Sequence, residues 1–481
     1  MTGKRYFSVI VLASFLCLTF LVHFRVLKVY FLSDDFGYVL LARDTSVTKS
    51  FNLITKEQKL GSGSGLYRPA VDMAFVFAYR VFKENPAGYH ATSLVFHALI
   101  AWLFYLLISR ISRHQTLGFL AGALFIVYPM NLESIAWLSN WTTLISSLFI
   151  MLALYLYWEY RTRKKIYLFF IVLLAMLLSL LAKETAIIMP FVLIVLDLVR
   201  VKLNGQTAKR VIKNWLSYAT SIVLVGLFFA WRFVMLKGRG GYRTSDGESI
   251  YGGLTHEEFT GWLTSLKLFL FNYLNNVVFR YHKRLALIYW AVFAVVITLA
   301  ILYVLNKRKG IGYGWPLFGL GWIYIFALPV INLINGIHKD LSGSRYLYLP
   351  SLGFCLILAA LILGFVNRPE KIMIYTKGLL IGLFIAGFSF LSYKNQVPWL
   401  EASAQVRAVG DKVLASVKDP PKKSEFYFKN LPDNWAGAYS LRNGIENYLL
   451  LLYDKSPRYL TAKRVEEFPV QKSGKSMYFF E

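Results

Sequence analysis

Long apolar stretches recur along the chain, separated by shorter polar ones. Taking each continuous run of near twenty apolar residues as one helical crossing gives about eleven transmembrane segments. They are Tyr6–Leu27, Ala91–Ile108, Leu117–Tyr128, Ile135–Tyr157, Ile166–Leu181, Ala186–Val199, Trp215–Leu236, Leu285–Leu305, Trp315–Ile334, Tyr346–Val366 and Ile374–Tyr393. The third is short and ends at Pro129. The runs lack the alternation of a lipid-facing strand, which excludes a β-barrel. The pattern predicts an all-α polytopic membrane protein.

Three polar stretches interrupt it. Residues 28–90 hold an acid pair, a Gly61–Gly65 glycine–serine run and an aromatic-rich helix over Val71–Phe82. Residues 237–284 begin with Gly238-Arg239-Gly240-Gly241-Tyr242-Arg243. That run has glycines and cations but no P-loop spacing, so a flexible loop is expected. His256–Phe279 has an apolar face and reads as an interfacial helix. Residues 395–481 mix charges with turn signals and predict a small extracytoplasmic C-terminal domain, mixed α/β or mostly helical. Residues 1–394 form the transmembrane domain.

Charge sets the orientation. Arg110 and Arg113, Arg161 to Lys165, Arg200 to Lys213, Lys307 to Lys309 and Arg368 to Lys377 fill every second loop, in phase with Lys4 and Arg5. The positive-inside rule makes these loops cytoplasmic and turns the acid pair, residues 237–284 and the C-terminal stretch outward. This placement accounts for the net charge of +27 without a nucleic-acid partner. Composition agrees, with 57% hydrophobic and 16% charged residues and a mean hydropathy of +0.49. Cys17 and Cys355 lie inside apolar runs and suggest neither a disulfide nor a metal cluster. The first apolar run has no small-x-small cleavage site and reads as a retained span.

In a chain with few acids, adjacent Asp34 and Asp35 just past the first span are the strongest candidates for chemistry. Ser33 and Asp34 also fit a helix N-cap. Further charges fall at predicted outer ends of spans, where they are costly. These are Glu133 after Pro129, Lys183-Glu184 between two spans, and Arg345-Tyr346 at the start of another; Arg68 before Pro69 opens the aromatic-rich helix of the first long loop. An acid can deprotonate a hydroxyl, and cations can neutralise a leaving phosphate. His97, alone inside a span, reads as a packing or hydrogen-bonding residue. No histidine spacing indicates a metal, and none of this chemistry calls for a cofactor.

Four motifs carry a family resemblance. They are Asp34-Asp35; Tyr67-Arg68-Pro69 followed by Tyr89-His90 and Phe96-His97-Ala98-Leu99; Ala182-Lys183-Glu184-Thr185; and the stretch from Ser344-Arg345-Tyr346-Leu347-Tyr348-Leu349-Pro350-Ser351 to Cys355. In this order they resemble the GT-C superfamily of polytopic glycosyltransferases, most of all the membrane part of the tetratricopeptide-containing O-mannosyltransferases and their bacterial relatives. The resemblance covers roughly residues 1–395. It implies a GT-C fold and inverting transfer of a monosaccharide from a polyprenyl-phosphate donor to a protein, glycan or lipid hydroxyl on the outer face, in a bacterial inner membrane. It assigns the general base to Asp34 and an orienting role to Asp35. Arg68, Lys183 and Arg345 would hold the donor phosphate, with Glu133, Glu184 and Tyr346 positioning cations, sugar or acceptor. Tyr128-Pro129-Met130-Asn131-Leu132-Glu133 keeps the family's acid but lacks both of its histidines. The C-terminal stretch has no 34-residue tetratricopeptide period. A lipid-linked sugar flippase, a polysaccharide polymerase or a non-catalytic membrane scaffold are the alternatives. A flippase would place paired charges in mid-span rather than at outer ends.

Overall fold

The computed structural model describes residues 2–55, 66–205, 209–238, 314–330, 333, 340–364, 371–471 and 476–481, with the side chains of 2–5, 210 and 371–373 left aside. The Gly61–Gly65 run, the His256–Phe279 helix and the segment expected at Leu285–Leu305 lie outside the described residues.

The helices are α1 (Thr2–His23), α2 (Asp35–Asp44), α3 (Val47–Ser50), α4 (Pro69–Phe82), α5 (Pro86–Ser112), α6 (Gln115–Val127), α7 (Leu132–Ala136), α8 (Trp141–Arg163), α9 (Ile166–Ala182), α10 (Met189–Leu203), α11 (Lys209–Ile212) and α12 (Trp215–Leu236). After the undescribed stretch come α13 (Gly314–Ala327), α14 (Tyr348–Gly364), α15 (Lys371–Asn395), α16 (Val397–Ser416) and α17 (Ile445–Leu452). Among the described residues, six helical stretches are long and apolar enough to cross a membrane. A seventh arises if α6 and the segment from Pro129 to Ala136 count as one span bent by 55°. The bend has a local cause: Tyr128 is extended at φ −68° and ψ 119°, as the residue before a proline prefers. Of the shorter apolar helices, α9 has 17 residues. That is about 25 Å of helix, less than the roughly 30 Å hydrocarbon layer.

Local signals fix the ends. The Asn85 side chain caps α5 through the Ala87 N–H (3.1 Å), with Pro86 in the first turn. Lys164 closes α8 in the left-handed conformation, so α9 turns back along it. Gly319 on α13 and Gly353 on α14 face each other so closely that a Cβ on either would strike the other's carbonyl oxygen. Small residues let these two apolar helices pack backbone to backbone.

The two ends of the bundle differ chemically. At one end, buried Asp197 accepts hydrogen bonds from Tyr157 (2.7 Å), Tyr218 (2.6 Å), Asn214 (3.0 Å) and Arg161 (2.9 Å). Beside it Glu159 pairs with Arg110 (3.1 Å) and Arg163 (2.5 Å). Arginines from basic loops expected on one side thus meet at the same end. The candidate site lies at the opposite end of α8, whose 23 residues span about 34 Å.

The C-terminal residues form a small mixed α/β unit. Strand β1 (Ser424–Phe428) is flanked in parallel by β4 (Leu460–Arg464) and β5 (Met477–Phe480). Strands β2 (Asn434–Trp435) and β3 (Ala438–Tyr439) make a separate antiparallel pair that packs on α16. Phe426, Phe428 and Phe480 stack in its core. Helix α17 packs directly on α2, bringing this unit to the acid pair.

Candidate active site

After α1 the chain makes a short 3-10 turn, Phe24–Lys28, then runs extended to Leu32. Ser33 turns it through the left-handed region at φ +50°, and α2 starts at Asp35. Asp34 occupies the N-cap position, yet its side chain makes no capping bond. It is partly exposed, and its Oδ1 accepts a hydrogen bond from Asn443 Nδ2 (3.0 Å). Protein packed around Asp34 raises its carboxyl above the usual range, while Asn443 and the charges of Arg345, Arg442 and Arg68 act in the opposite direction.

Asp35 is in a different setting. It is fully buried and accepts three hydrogen bonds, from Leu32 N–H (3.0 Å), Ser139 N–H (2.7 Å) and Ser139 Oγ (2.6 Å). Burial pushes its carboxyl up to about 7, against the pull of these donors. The two adjacent acids are therefore physically distinct. Asp35 ties the first loop to the turn before α8, and one Asp34 oxygen has no hydrogen-bond partner among the described residues.

The predicted cations and glutamates also come together. Arg68 grips Glu184 with two parallel bonds (2.9 and 3.3 Å). Burial disfavours the Glu184 charge, but Arg68 outweighs it and brings that carboxyl down to about 2. Glu133 accepts the N–H groups of Gly343 (3.2 Å) and Arg345 (2.8 Å) and the Ser344 hydroxyl (3.2 Å), and pairs with the Arg345 guanidinium. That guanidinium also faces the rings of Tyr346 (4.6 Å), Trp137 (5.1 Å) and Tyr439 (5.8 Å). Lys183 donates to the neutral Thr143 hydroxyl (2.9 Å) and stands 5.7 Å over the Tyr346 ring. Burial and then the Arg68 charge bring its ammonium down to about 7.

Lys183, Arg345 and Tyr346 line one cleft of about 370 Å³, counting its open mouth. Its wall adds the hydroxyl residues Thr143, Ser146, Ser147 and Thr185, and an apolar side from Phe326, Val330, Leu349 and Pro350. The buried hydroxyls of Ser146 and Ser147 have no hydrogen-bond partner among the described residues. Such a cleft can take an anionic head joined to an apolar tail. His97 is apart from it, joined to the Tyr348 hydroxyl (2.7 Å) and the Ile126 carbonyl (3.2 Å), as expected of a packing histidine.

Sequence reasoning missed Ser139, Trp137, Tyr439 and Asn443. It also missed Asp72, one turn beyond Arg68, buried with neither oxygen hydrogen-bonded among the described residues. Burial raises its carboxyl well above the usual range, against the pull of the Arg68 charge.

The chain is a polytopic helical membrane protein, and its similarities run to membrane glycosyltransferases of the GT-C type. It belongs to a family of membrane proteins described as the 6-pyruvoyl-tetrahydropterin synthase related domain, whose model matches residues 73–395. Among curated proteins it is 29% identical over 183 residues to the protein O-mannosyl-transferase Tmtc1 of Drosophila melanogaster, covering 37% of this chain and 21% of that one. With the protein O-mannosyl-transferase F38B6.6 of Caenorhabditis elegans it shares 24% over 321 residues, 61% of this chain and 42% of the relative. The chain thus spans less than half the length of these relatives. A solved structure, the Archaeoglobus fulgidus oligosaccharyltransferase tethered with an acceptor peptide, aligns over 95% of this chain and 64% of its own at 11% identity, with a TM-score of 0.47.

Proposed function

We propose that the chain is an integral-membrane glycosyltransferase that moves a monosaccharide from a polyprenyl-phosphate carrier to an acceptor hydroxyl, with inversion, at the extracytoplasmic end of the bundle. The observation that carries this reading is the shared arginine pair. Arg68 and Arg345 act electrostatically on Asp34 and also on Lys183, so a candidate base and a candidate phosphate site flank the same two guanidinium groups. Arg68 and Arg345 are matched by Glu184 and Glu133. Lys183 forms no salt bridge among the described residues and donates to the neutral Thr143 hydroxyl, which suits the single negative charge of a phosphate diester better than a diphosphate. The apolar wall suits the polyprenyl chain. The sequence similarity to protein O-mannosyl-transferases supports mannose as the first sugar to test, with a protein hydroxyl as acceptor. The proposed location, a bacterial inner membrane, rests on the motif resemblance alone.

In this mechanism the acceptor O–H gives its proton to the open oxygen of Asp34. The acceptor oxygen bonds to the anomeric carbon as that carbon's bond to the phosphate oxygen breaks. The electron pair leaves with the polyprenyl phosphate, whose second negative charge develops beside Lys183. Glu133 and Glu184 hold Arg345 and Arg68 in place, and the Tyr346 ring is in contact with both Arg345 and Lys183. No step needs a metal.

Asp34→Asn tests the proposal, because it keeps size and removes basicity. Transfer from polyprenyl-phosphate mannose by the purified chain should fall roughly 10²–10⁴-fold with donor affinity kept. Turnover within a few-fold of wild type would remove Asp34 as the base.

A further inference from the structure

The acid pair is met by the far end of the chain. The Ser33 N–H donates to the Ser440 carbonyl (2.8 Å), and the Asn443 N–H donates to Ser33 Oγ (3.2 Å). Gly444, at φ +84°, starts α17 so close to the first loop that a Cβ there would collide with the Ser33 carbonyl oxygen. Two hydrogen bonds from main-chain N–H groups and a glycine approach therefore fix residues 440–444 on Ser33. The Asn443 side chain takes no part in that docking. It is exposed, and its amide is spent on Asp34 Oδ1, the hydrogen bond that Asp34 makes through its side chain among the described residues.

We infer that Asn443 is a positioning residue for the Asp34 carboxylate: it holds one oxygen and leaves the other for the acceptor proton. The inference rests on Asp34 being the base. An amide N–H donated to a carboxylate favours the charged form. It works with Arg345, Arg442 and Arg68, and against the burial that raises the Asp34 carboxyl. Arg442 and Asn443 come from one turn of the C-terminal unit, so that unit supplies part of the electrostatic setting of the reaction.

The experiment uses the full chain with polyprenyl-phosphate mannose and a threonine-rich peptide, and measures turnover from pH 5 to 9. In parallel, pH-difference infrared spectra follow the Asp34 carboxyl, with Asp34→Asn identifying its band. Asn443→Ala should move both the Asp34 titration and the acid limb of turnover upward by about one pH unit. Asn443→Asp, which replaces the donor with a charge, should move them further. Asn443→Gln, which keeps the amide, should restore part of the shift. In an Asp34→Asn background Asn443→Ala should add no further loss. Folding is followed by thermal unfolding of each variant. An unshifted titration in folded Asn443→Ala, with turnover still lost in Asp34→Asn, overturns the inference alone. Equal losses from Asn443→Ala with and without Asp34 also overturn it. Undiminished turnover in Asp34→Asn overturns the base assignment and the inference with it.

Discussion

Lys183 gives the most quantitative test of the donor site. In the free protein its ammonium is brought down to about 7 by burial and the neighbouring Arg68 charge. It is a cation below that pH and mostly neutral above it. A bound phosphate diester places an anion beside it and favours the charged form again. If that contact has the strength of one charge-assisted hydrogen bond, about 2.7 kcal/mol, the bound state titrates about two units higher. Above pH 7 donor binding must then take up a proton, so affinity falls with rising pH. The expected slope is about tenfold per unit between roughly pH 7 and 9, reaching about 100-fold, and affinity is flat below pH 7. Lys183→Arg stays charged throughout and should flatten the curve. Lys183→Met should also be flat, but about 100-fold weaker than wild type at pH 6. Binding of polyprenyl-phosphate mannose to the purified protein, measured by calorimetry from pH 6 to 9, decides the matter. A flat wild-type curve, or a slope that survives in Lys183→Met, refutes the reasoning.

Two further outcomes follow from buried carboxylates. Glu133→Gln strands the Arg345 guanidinium and should cost about 3–5 kcal/mol in denaturant unfolding. Arg345→Met should cost a similar amount, and the double variant little more than either alone; additive losses would show that the two side chains are not coupled. Asp35→Asn would turn an amide NH₂ toward the donors of Leu32 or Ser139, with an expected loss of about 1–3 kcal/mol. Its lost activity should follow its lost stability, and a fully stable but inactive Asp35→Asn would instead give Asp35 a part in the chemistry.

Much of the site was legible because its members stand at the ends of apolar runs, where charges are conspicuous. Asp34, Arg68, Glu133, Lys183, Glu184 and Arg345 were all visible in this way, and the geometry gathers them at one end of α8. Their pairing was not visible. Nothing in the spacing says that Glu184 would take Arg68, or that Glu133 would take Arg345. These contacts cross 116 and 212 residues, and packing decides them. The capping signal at Ser33-Asp34 placed the helix start correctly, but the Asp34 side chain is drawn to Asn443 instead. Ser139 and Asn443 were illegible because a serine after a leucine and an asparagine in a turn are common anywhere. Among the described residues the periodicity found the apolar helices, but not the bend at Tyr128-Pro129 or the 17-residue length of α9, which depend on local backbone geometry.

The contact between Asp34 and Asn443 joins residues 409 positions apart. During synthesis the acid pair leaves the ribosome well before its partner, which follows only after every described membrane helix has been made. The Asn443 contact to Asp34 therefore cannot form in a nascent chain that is still being threaded into the bilayer. A chain stalled or cut before residue 443 lacks the one side-chain hydrogen bond that holds Asp34 among the described residues.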